Sequence, residues 1–232
     1  MNSNPDTQAE IGAGTIVEPG VVVGFRYHKD AGPARIGANG IFRLGTIIYG
    51  DVTLGDYFQT GHYVVIRAKV RAGDYCTVCN HSTLEGIIRM GDGVRIMSHV
   101  YIPTRTWFGS HVFVGPGVTF LNDRRPGRWE GTTPEVRGAF VEDEVMIGGG
   151  CTILPGVRIG AGSFIAAGSL ITRDIPPRSF VRGRPGKIEP MPASLDRPND
   201  RKLTLQPRDI WHPDTPDLSA LDFPKEWPPE AK

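Results

Sequence analysis

Hydrophobic residues recur along this chain every six positions. From Ile36 the steps are Phe42, Ile48, Leu54, Thr60, Ile66, Ala72, Val78, Leu84, Met90, Ile96, Ile102, Phe108, Val114 and Phe120. Fourteen of these fifteen are hydrophobic, where a 39% hydrophobic content would place about six. A period of six fits neither a helix at 3.6 nor strand alternation at 2. A second period lies over the first. Gly37, Gly55, Gly73, Gly91 and Gly109 stand eighteen residues apart, and three of them precede Asp56, Asp74 and Asp92. Gly-Asp reads as turn chemistry, with glycine supplying positive φ and aspartate bonding its own backbone nearby. Four residues after each anchor the side chain is mostly small or β-branched, as at Thr46, Val64, Cys76, Ser82, Val94 and Val112. Three hexads per eighteen-residue lap predict a triangular coil of short strands and tight corners, with two inward positions per strand and a narrow interior. Hexapeptide repetition is the signature of a parallel β-helix, so the expected class is all-β.

Interruptions of the repeat divide the chain. Anchors Ile11, Val17 and Val23 open it, and the stretch Gly24 to Arg35 shifts the register by one and reads as a corner loop. Residues 121–140 break the pattern before it resumes at Val141, Ile147, Ile153, Ile159, Ile165 and Ile171. A structureless insertion of that length is functional or disordered. It holds Arg124, Arg125, Arg128 and Arg137, with Trp129 among them. The stack is expected to end near Ile175-Pro176-Pro177, because proline cannot donate to a ladder. Residues 178–188 then read as a short connector. Residues 189–232 contain nine of the twenty prolines and no repeat. They read as an extended arm, with a short helix around Asp217–Leu221, that packs on the solenoid or a neighbour, or as disordered chain. The expected organisation is a β-helix domain over 1–188, with its loop insertion at 121–140, and a proline-rich tail over 189–232.

Composition narrows the partners. Lys and Arg number 26 against 25 Asp and Glu, which gives no support to nucleic acid or an anionic membrane as partner. No apolar run reaches the length of a membrane span, and the N-terminus lacks the regions of a signal peptide. Three cysteines, an odd number, argue for a reducing cytoplasm over a disulfide framework. Cys76-x-x-Cys79 has the spacing of a redox or zinc half-motif. Cys76 falls on an inward position, however, and no second pair exists.

Several stretches resemble the left-handed β-helix acyltransferases of the hexapeptide-repeat superfamily. These are Ile147-Gly-Gly-Gly-Cys-Thr-Ile-Leu-Pro-Gly-Val-Arg-Ile-Gly160, Ala167-Gly168, Thr172-Arg-Asp-Ile-Pro176 and Val181-Arg-Gly-Arg-Pro-Gly-Lys187. The last is similar to the family's V-x-G-x-P-A-K ending, with Gly186 where alanine is usual. Asn80-His-Ser-Thr-Leu-Glu-Gly86 resembles N-V-S-V-Y-E-G, and Gly115-Pro-Gly-Val-Thr-Phe-Leu-Asn-Asp123 resembles G-P-S-x-V-F-T-N-D. Both patterns occur in bacterial N-acetyltransferases acting on the amino group of nucleotide-linked amino sugars. His81 departs from that branch, which has an apolar residue there, and the long tail is outside the pattern. The resemblance implies a left-handed coil, a homotrimer with active sites between subunits, and acetyl-CoA lying along the C-terminal coils.

Acyl transfer from a thioester to an amine needs a base, oxyanion donors and alignment of both reactants. Residues one lap apart share a corner, about 4.8 Å apart along the axis. His62, Asn80 and Ser98 therefore form one column, and Tyr63, His81 and His99 the next. The candidate catalytic residues are Asn80, His81, Glu85 and His99. His81 is attractive as base because histidine titrates near neutrality; exposed corner histidines are also common. His99 orients substrate, shares a proton or is surface decoration. Asn80 contacts coenzyme or substrate by resemblance, or stabilises its own turn. Glu85 holds a sugar hydroxyl, orients a base or faces water. Candidate substrate residues are Asn122, Asp123, Arg124 and Arg125, the arginines matching a pyrophosphate; the alternative is an Asx turn launching a solvated loop. Candidate coenzyme residues by resemblance are Gly149, Ala167, Gly168, Arg173, Arg184 and Lys187, and no metal is expected. A γ-type carbonic anhydrase uses the same solenoid with three histidines on zinc. The spacing of His81, His99 and His111 does not match its pattern. An O-acetyltransferase or a non-catalytic scaffold are the other readings.

Overall fold

The computed structural model describes residues 7–128 and 136–199. Through Leu170–Ile171 its strands alternate strictly among three sheets, so the chain winds as a triangular prism. Face I runs from Ala9–Ile11 to Arg158–Ile159, eight parallel strands in coil order. Face II runs from Ile16–Val17 to Phe164–Ile165 and gains two further strands at its C-terminal end. Face III runs from Val22–Phe25 to Leu170–Ile171, again eight strands. The all-β solenoid and its hexad register stand as the periodicity predicted. Both predicted inward rows are buried: Phe42, Ile48, Ile66, Val78, Leu84 and Ile96 among the anchors, and Val64, Cys76, Val94 and Val112 four residues later. Inward hydroxyls are satisfied inside the prism. Ser82, for example, donates to the Met97 carbonyl at 2.9 Å and accepts from the Val100 amide at 3.1 Å.

Three expectations need correction. The Gly-Asp corners do not use glycine for positive φ. Gly37, Gly55, Gly73, Gly91 and Gly109 lie outside that region, and the left-handed residue is the one after the aspartate position: Asn39, Tyr57, Tyr75, Gly93 and His111. Glycine is required by crowding instead. A Cβ at Gly55 would stand 2.6 Å from the Gly73 carbonyl carbon in the next coil. Nor does the aspartate bond its own neighbourhood. Each Oδ1 accepts an amide from the coil before it: Ala38 to Asp56 at 2.7 Å, Asp56 to Asp74 at 2.8 Å and Asp74 to Asp92 at 2.9 Å. These carboxylates form a ladder along the edge between faces I and II.

The second correction concerns the first coil. Ile11 and Val17 are 46% and 39% exposed, because no described coil stacks beneath them. Third, residues 178–188 are more than a connector. Ser179–Arg182 joins face II parallel to Phe164–Ile165, and Lys187–Pro190 returns antiparallel to it, across the expected domain boundary. The first part of the tail follows one of the expected alternatives and packs on the solenoid. Arg178 donates to Asp196 at 2.7 Å, and Asn199 reaches the His111 carbonyl at 2.9 Å. The helix expected at Asp217–Leu221, and Trp129 of the insertion, lie outside the described residues.

Glu142 shows how a charged side chain replaces a glycine of that row. It accepts from Arg158 Nε at 2.6 Å and from the Ala161 amide at 2.8 Å. The Ala161 amide first, and Arg158 with it, hold the Glu142 carboxyl below the ordinary carboxylate range. A lowered folded value stabilises the fold above the ordinary range, and the contribution is lost as pH falls through the lowered value. Glu142→Gln should therefore lower the denaturant midpoint at pH 7, with the gap to the parent closing in acid. The crowding argument makes a separate prediction. Gly55→Ala should cost about 3 kcal/mol or more through overpacking. Gly117→Ala, at φ 67° but with nothing within 4 Å of its Cβ, should cost about 1–2 kcal/mol. Chemical denaturation of the two variants reads the order.

Candidate active site

Every corner between faces II and III ends in a left-handed residue, and these residues stack into one column. From the N-terminal side it reads Gly20, Gly45, Tyr63, His81, His99, Gly117, Gly150 and Gly168, all at positive φ. Each corner side chain leans over the residue one coil earlier. Gly45 makes room for Tyr63, whose ring carbon Cε1 would lie 2.6 Å from a Cβ there. The Tyr63 and His81 rings stack at 5.3 Å and 6°, and His81 and His99 at 5.1 Å and 13°. Both histidines are exposed, and neither imidazole has a hydrogen-bond partner among the described residues. Parallel stacking fixes the ring planes and leaves the nitrogen-bearing edges available.

The column changes character above His99. At Gly117, Gly150 and Gly168 an added Cβ would meet nothing within 4 Å. The two imidazole rings therefore open onto a bare strip of backbone that runs to the C-terminal end of the prism. Gly117 and Gly150 were absent from the sequence candidates, although the eighteen-residue step from His99 reaches the first directly. Gly149 belongs to the neighbouring column, where its Cβ would meet the Pro116 carbonyl oxygen at 3.0 Å, so close packing explains it. Ala167 lies in that column too and is exposed. At the top of the strip, the Leu170 amide donates to the Gly183 carbonyl at 3.0 Å and the Gly186 amide to the Leu170 carbonyl at 2.8 Å. Arg184 and Lys187, within and just after this turn, are both exposed. Gly186 stands where the resemblance has alanine because Val181 Cγ1 lies 2.9 Å from its would-be Cβ. Arg173 falls at the corner between faces III and I, across face III from this strip.

Asn80 continues the ladder logic of the aspartates. Its Oδ1 accepts the His62 amide at 2.7 Å. Aspartate makes the same contact elsewhere, so what asparagine adds is an Nδ2 donor beside His81. Glu85 stands at the far end of Thr83–Leu84 and is paired with Arg67 at 2.7 Å. It orients neither histidine directly. Tyr101, two residues after His99 on face III, is close enough to Glu85 and Arg67 to feel both charges. Burial first, then the Glu85 carboxylate, push its phenol above the ordinary range.

Asn122 to Arg125 occupy the corner between faces III and I. Asn122 Nδ2 donates to the Thr104 carbonyl at 3.4 Å, Asp123 Oδ1 accepts the Arg125 amide at 2.7 Å, and Arg124 Nη2 donates to the Pro155 carbonyl at 3.1 Å. Within one protomer, face III separates these residues from His81 and His99. His111 stands on the edge between faces I and II, over Gly93, remote from the other two histidines. Among the described residues no three His, Cys, Asp or Glu side chains converge as a metal site. Cys76 is buried, and burial pushes its thiol up to about 12; burial also raises Cys79 and Cys151. None has the lowered value of a reactive thiolate.

Comparison with known proteins agrees with this geometry. The bacterial transferase hexapeptide (six repeats) family matches residues 138–173. Over 94 residues the chain is 40% identical to the galactoside O-acetyltransferase of Lactococcus lactis subsp. lactis, spanning 37% of this chain and 43% of that protein. Over 80 residues it is 36% identical to the 2,3,4,5-tetrahydropyridine-2,6-dicarboxylate N-acetyltransferase of Staphylococcus aureus (strain JH9), spanning 34% and 30%. The chain thus spans less than half the length of these curated relatives. The crystal structure of a UDP-N-acetylglucosamine acyltransferase from Bacteroides fragilis 9343 superposes with a TM-score of 0.58 at 16% identity, over 80% of this chain and 71% of that one. That likeness is one of fold. A coil of the opposite hand does not superpose, so the prism is left-handed. Residues 138–173 thus carry the bacterial transferase hexapeptide repeat, and the prism shares the fold of the acyltransferase on which it superposes. Among the described residues no helix is long and apolar enough to cross a membrane.

Proposed function

We propose that this protein is an acetyl-CoA-dependent N-acetyltransferase acting on the amino group of a nucleotide-activated amino sugar in the cytoplasm. One observation carries the proposal: the stacked His81 and His99 open directly onto the bare strip Gly117–Gly150–Gly168, with Arg184 and Lys187 at its end. The strip suits an extended pantetheine arm, which needs close approach to backbone, and the two cations suit the phosphates of coenzyme A. At the other end of the arm the thioester meets the imidazoles. The acceptor nitrogen attacks the thioester carbonyl, His81 or His99 takes the proton it loses, and the carbon–sulfur bond breaks as the thiolate leaves and is protonated. Asn80 Nδ2 is placed to donate to a carbonyl or sulfur beside His81.

The acceptor site is completed by a second subunit in this proposal. Face III is bounded on one side by the histidine edge and on the other by Asn122 to Arg125. Its outer row is largely uncharged, with Val65, Thr83, Tyr101, Thr119, Thr152 and Leu170. Three prisms packed through face III about a threefold axis bring each histidine edge against the next subunit's Asn122–Arg125 corner. The arginines there suit the pyrophosphate of a nucleotide-linked sugar. A hydroxyl acceptor is the second reading, favoured by the 40% identity to a galactoside O-acetyltransferase.

Incubation with acetyl-CoA and a panel of nucleotide-linked amino sugars should release free thiol, with an acetyl group on nitrogen by mass spectrometry. His81→Ala should lower kcat about 10²- to 10⁴-fold. Silence toward every amine and hydroxyl acceptor would overturn the assignment. Complementation tests the shared site. Co-expressing an inactive His81→Ala chain with an inactive Arg125→Ala chain should restore activity in mixed oligomers, and no recovery would place the whole site within one subunit.

A further inference from the structure

The corner between faces III and I gathers three arginine side chains in the C-terminal half of the prism. The chain leaves the repeat after Phe120 and rejoins it at Phe140–Val141. The Arg137 amide donates to the Asn122 carbonyl at 2.7 Å, which ties the two ends of this excursion together. Residues near both ends therefore meet, although they are distant in sequence. A Cβ at Gly156, in the next coil, would lie 3.9 Å from Arg124 Nη2 and 3.3 Å from Arg137 Cδ. Both side chains thus converge on the space that this glycine leaves. Arg105, one coil earlier, joins them, its Nη1 donating to the Val136 carbonyl at 3.4 Å. All three arginines are exposed.

What orients these groups does not neutralise them. Arg124 donates from Nε and Nη2 to the Pro155 carbonyl at 3.3 and 3.1 Å, and Arg105 likewise uses a backbone carbonyl. A carbonyl fixes a guanidinium and carries no net charge. Among the described residues none of the three arginines meets a carboxylate. The acids of this corner are turned to other donors: Asp123 Oδ1 accepts the Arg125 amide at 2.7 Å, and Asp174 Oδ1 the Arg158 amide at 2.9 Å. By contrast, Arg35, Arg67, Arg158, Arg178 and Arg182 each pair with an acid. Like charges held together without a counterion repel, so an anion that bridges them is favoured. Guanidinium forks match phosphate oxygens, and donors already held in place lower the ordering cost of binding. Three such charges exceed what one carboxylate neutralises and suit two linked phosphates.

We propose that Arg105, Arg124 and Arg137 form a diphosphate-binding site at this corner. Arg105 and Arg137 lie outside the acceptor residues expected from the sequence, because only the closure of the excursion brings them to Arg124. The occupant is the pyrophosphate of the acceptor, an assignment that rests on the function proposed above; the site itself does not. Coenzyme A also carries a diphosphate, so the test separates the two sources.

Isothermal titration of the full chain with inorganic pyrophosphate, orthophosphate and coenzyme A tests the site without requiring turnover. Pyrophosphate should bind once per chain, about tenfold or more tightly than orthophosphate. Arg105→Ala and Arg137→Ala should each weaken pyrophosphate binding about tenfold or more, the loss of one charge-assisted hydrogen bond. Coenzyme A affinity should stay within about twofold of the parent. Arg137→Lys, which keeps the charge and loses the fork, should fall between parent and alanine variant. Unfolding midpoints matching the parent show that the prism is intact in each variant. Unchanged pyrophosphate affinity in both alanine variants would overturn the proposal. So would coenzyme A affinity falling in step with it, because the coenzyme would then be the occupant. Absence of acetyl transfer to every acceptor, with this binding pattern intact, would overturn the proposed function and uphold the site. Transfer with pyrophosphate binding unaffected by the variants would do the reverse.

Discussion

The close parallel stacking of equal coils is the constraint on which the molecule depends. Backbone amides donate from coil to coil on all three faces, as Gly37 to Leu54 at 2.9 Å, Thr77 to Val94 at 2.9 Å and Thr83 to Val100 at 2.9 Å. Such a stack tolerates little between its layers. It forces glycine after the face I anchors, it turns aspartate into a rung, and it puts every corner residue directly over its counterpart eighteen residues away. Left-handed φ at non-glycine residues costs about 1–2 kcal/mol each. Ring stacking at Tyr57–Tyr75 and Tyr63–His81–His99 offsets part of that cost while fixing the rings.

The same constraint creates the candidate site. A corner column is a ruler with one side chain per coil, so reactivity is set by what the sequence writes at each mark. Along the II–III edge it writes tyrosine, two histidines and three bare glycines in order, which joins a proton-handling end to a strip of accessible backbone. Along the I–II edge the corresponding marks carry tyrosines, His111 and Glu144, and the descending tail bonds the last two. Two edges of one prism thus have different chemistry although the backbone is the same.

Hexad spacing made the prism, its two inward rows and the adjacency of Asn80, His81 and His99 legible in the sequence, because period and stacking are the same information. Other features were not legible. The role of the Gly-Asp pairs was misassigned because crowding between coils is a tertiary effect that turn propensity does not contain. Glu85 looked like a neighbour of His81 by sequence distance, yet an intervening strand sends it to Arg67. Asn122 to Arg125 share a corner only with their own coil neighbours, and no single-chain argument from spacing brings them to the histidines. The 178–188 segment hid its two strands because the repeat ends there and antiparallel return carries no hexad signature.

The central claim is that the II–III edge, from His81 through the glycine strip to Arg184, is where the acyl donor lies. Diffraction from crystals soaked with coenzyme A tests it most directly. The account predicts the pantetheine along Gly117, Gly150 and Gly168, the sulfur beside His81 and His99, and the adenosine phosphates at Arg184 and Lys187. Coenzyme bound along either of the other two edges, or with its sulfur remote from both histidines, would contradict it.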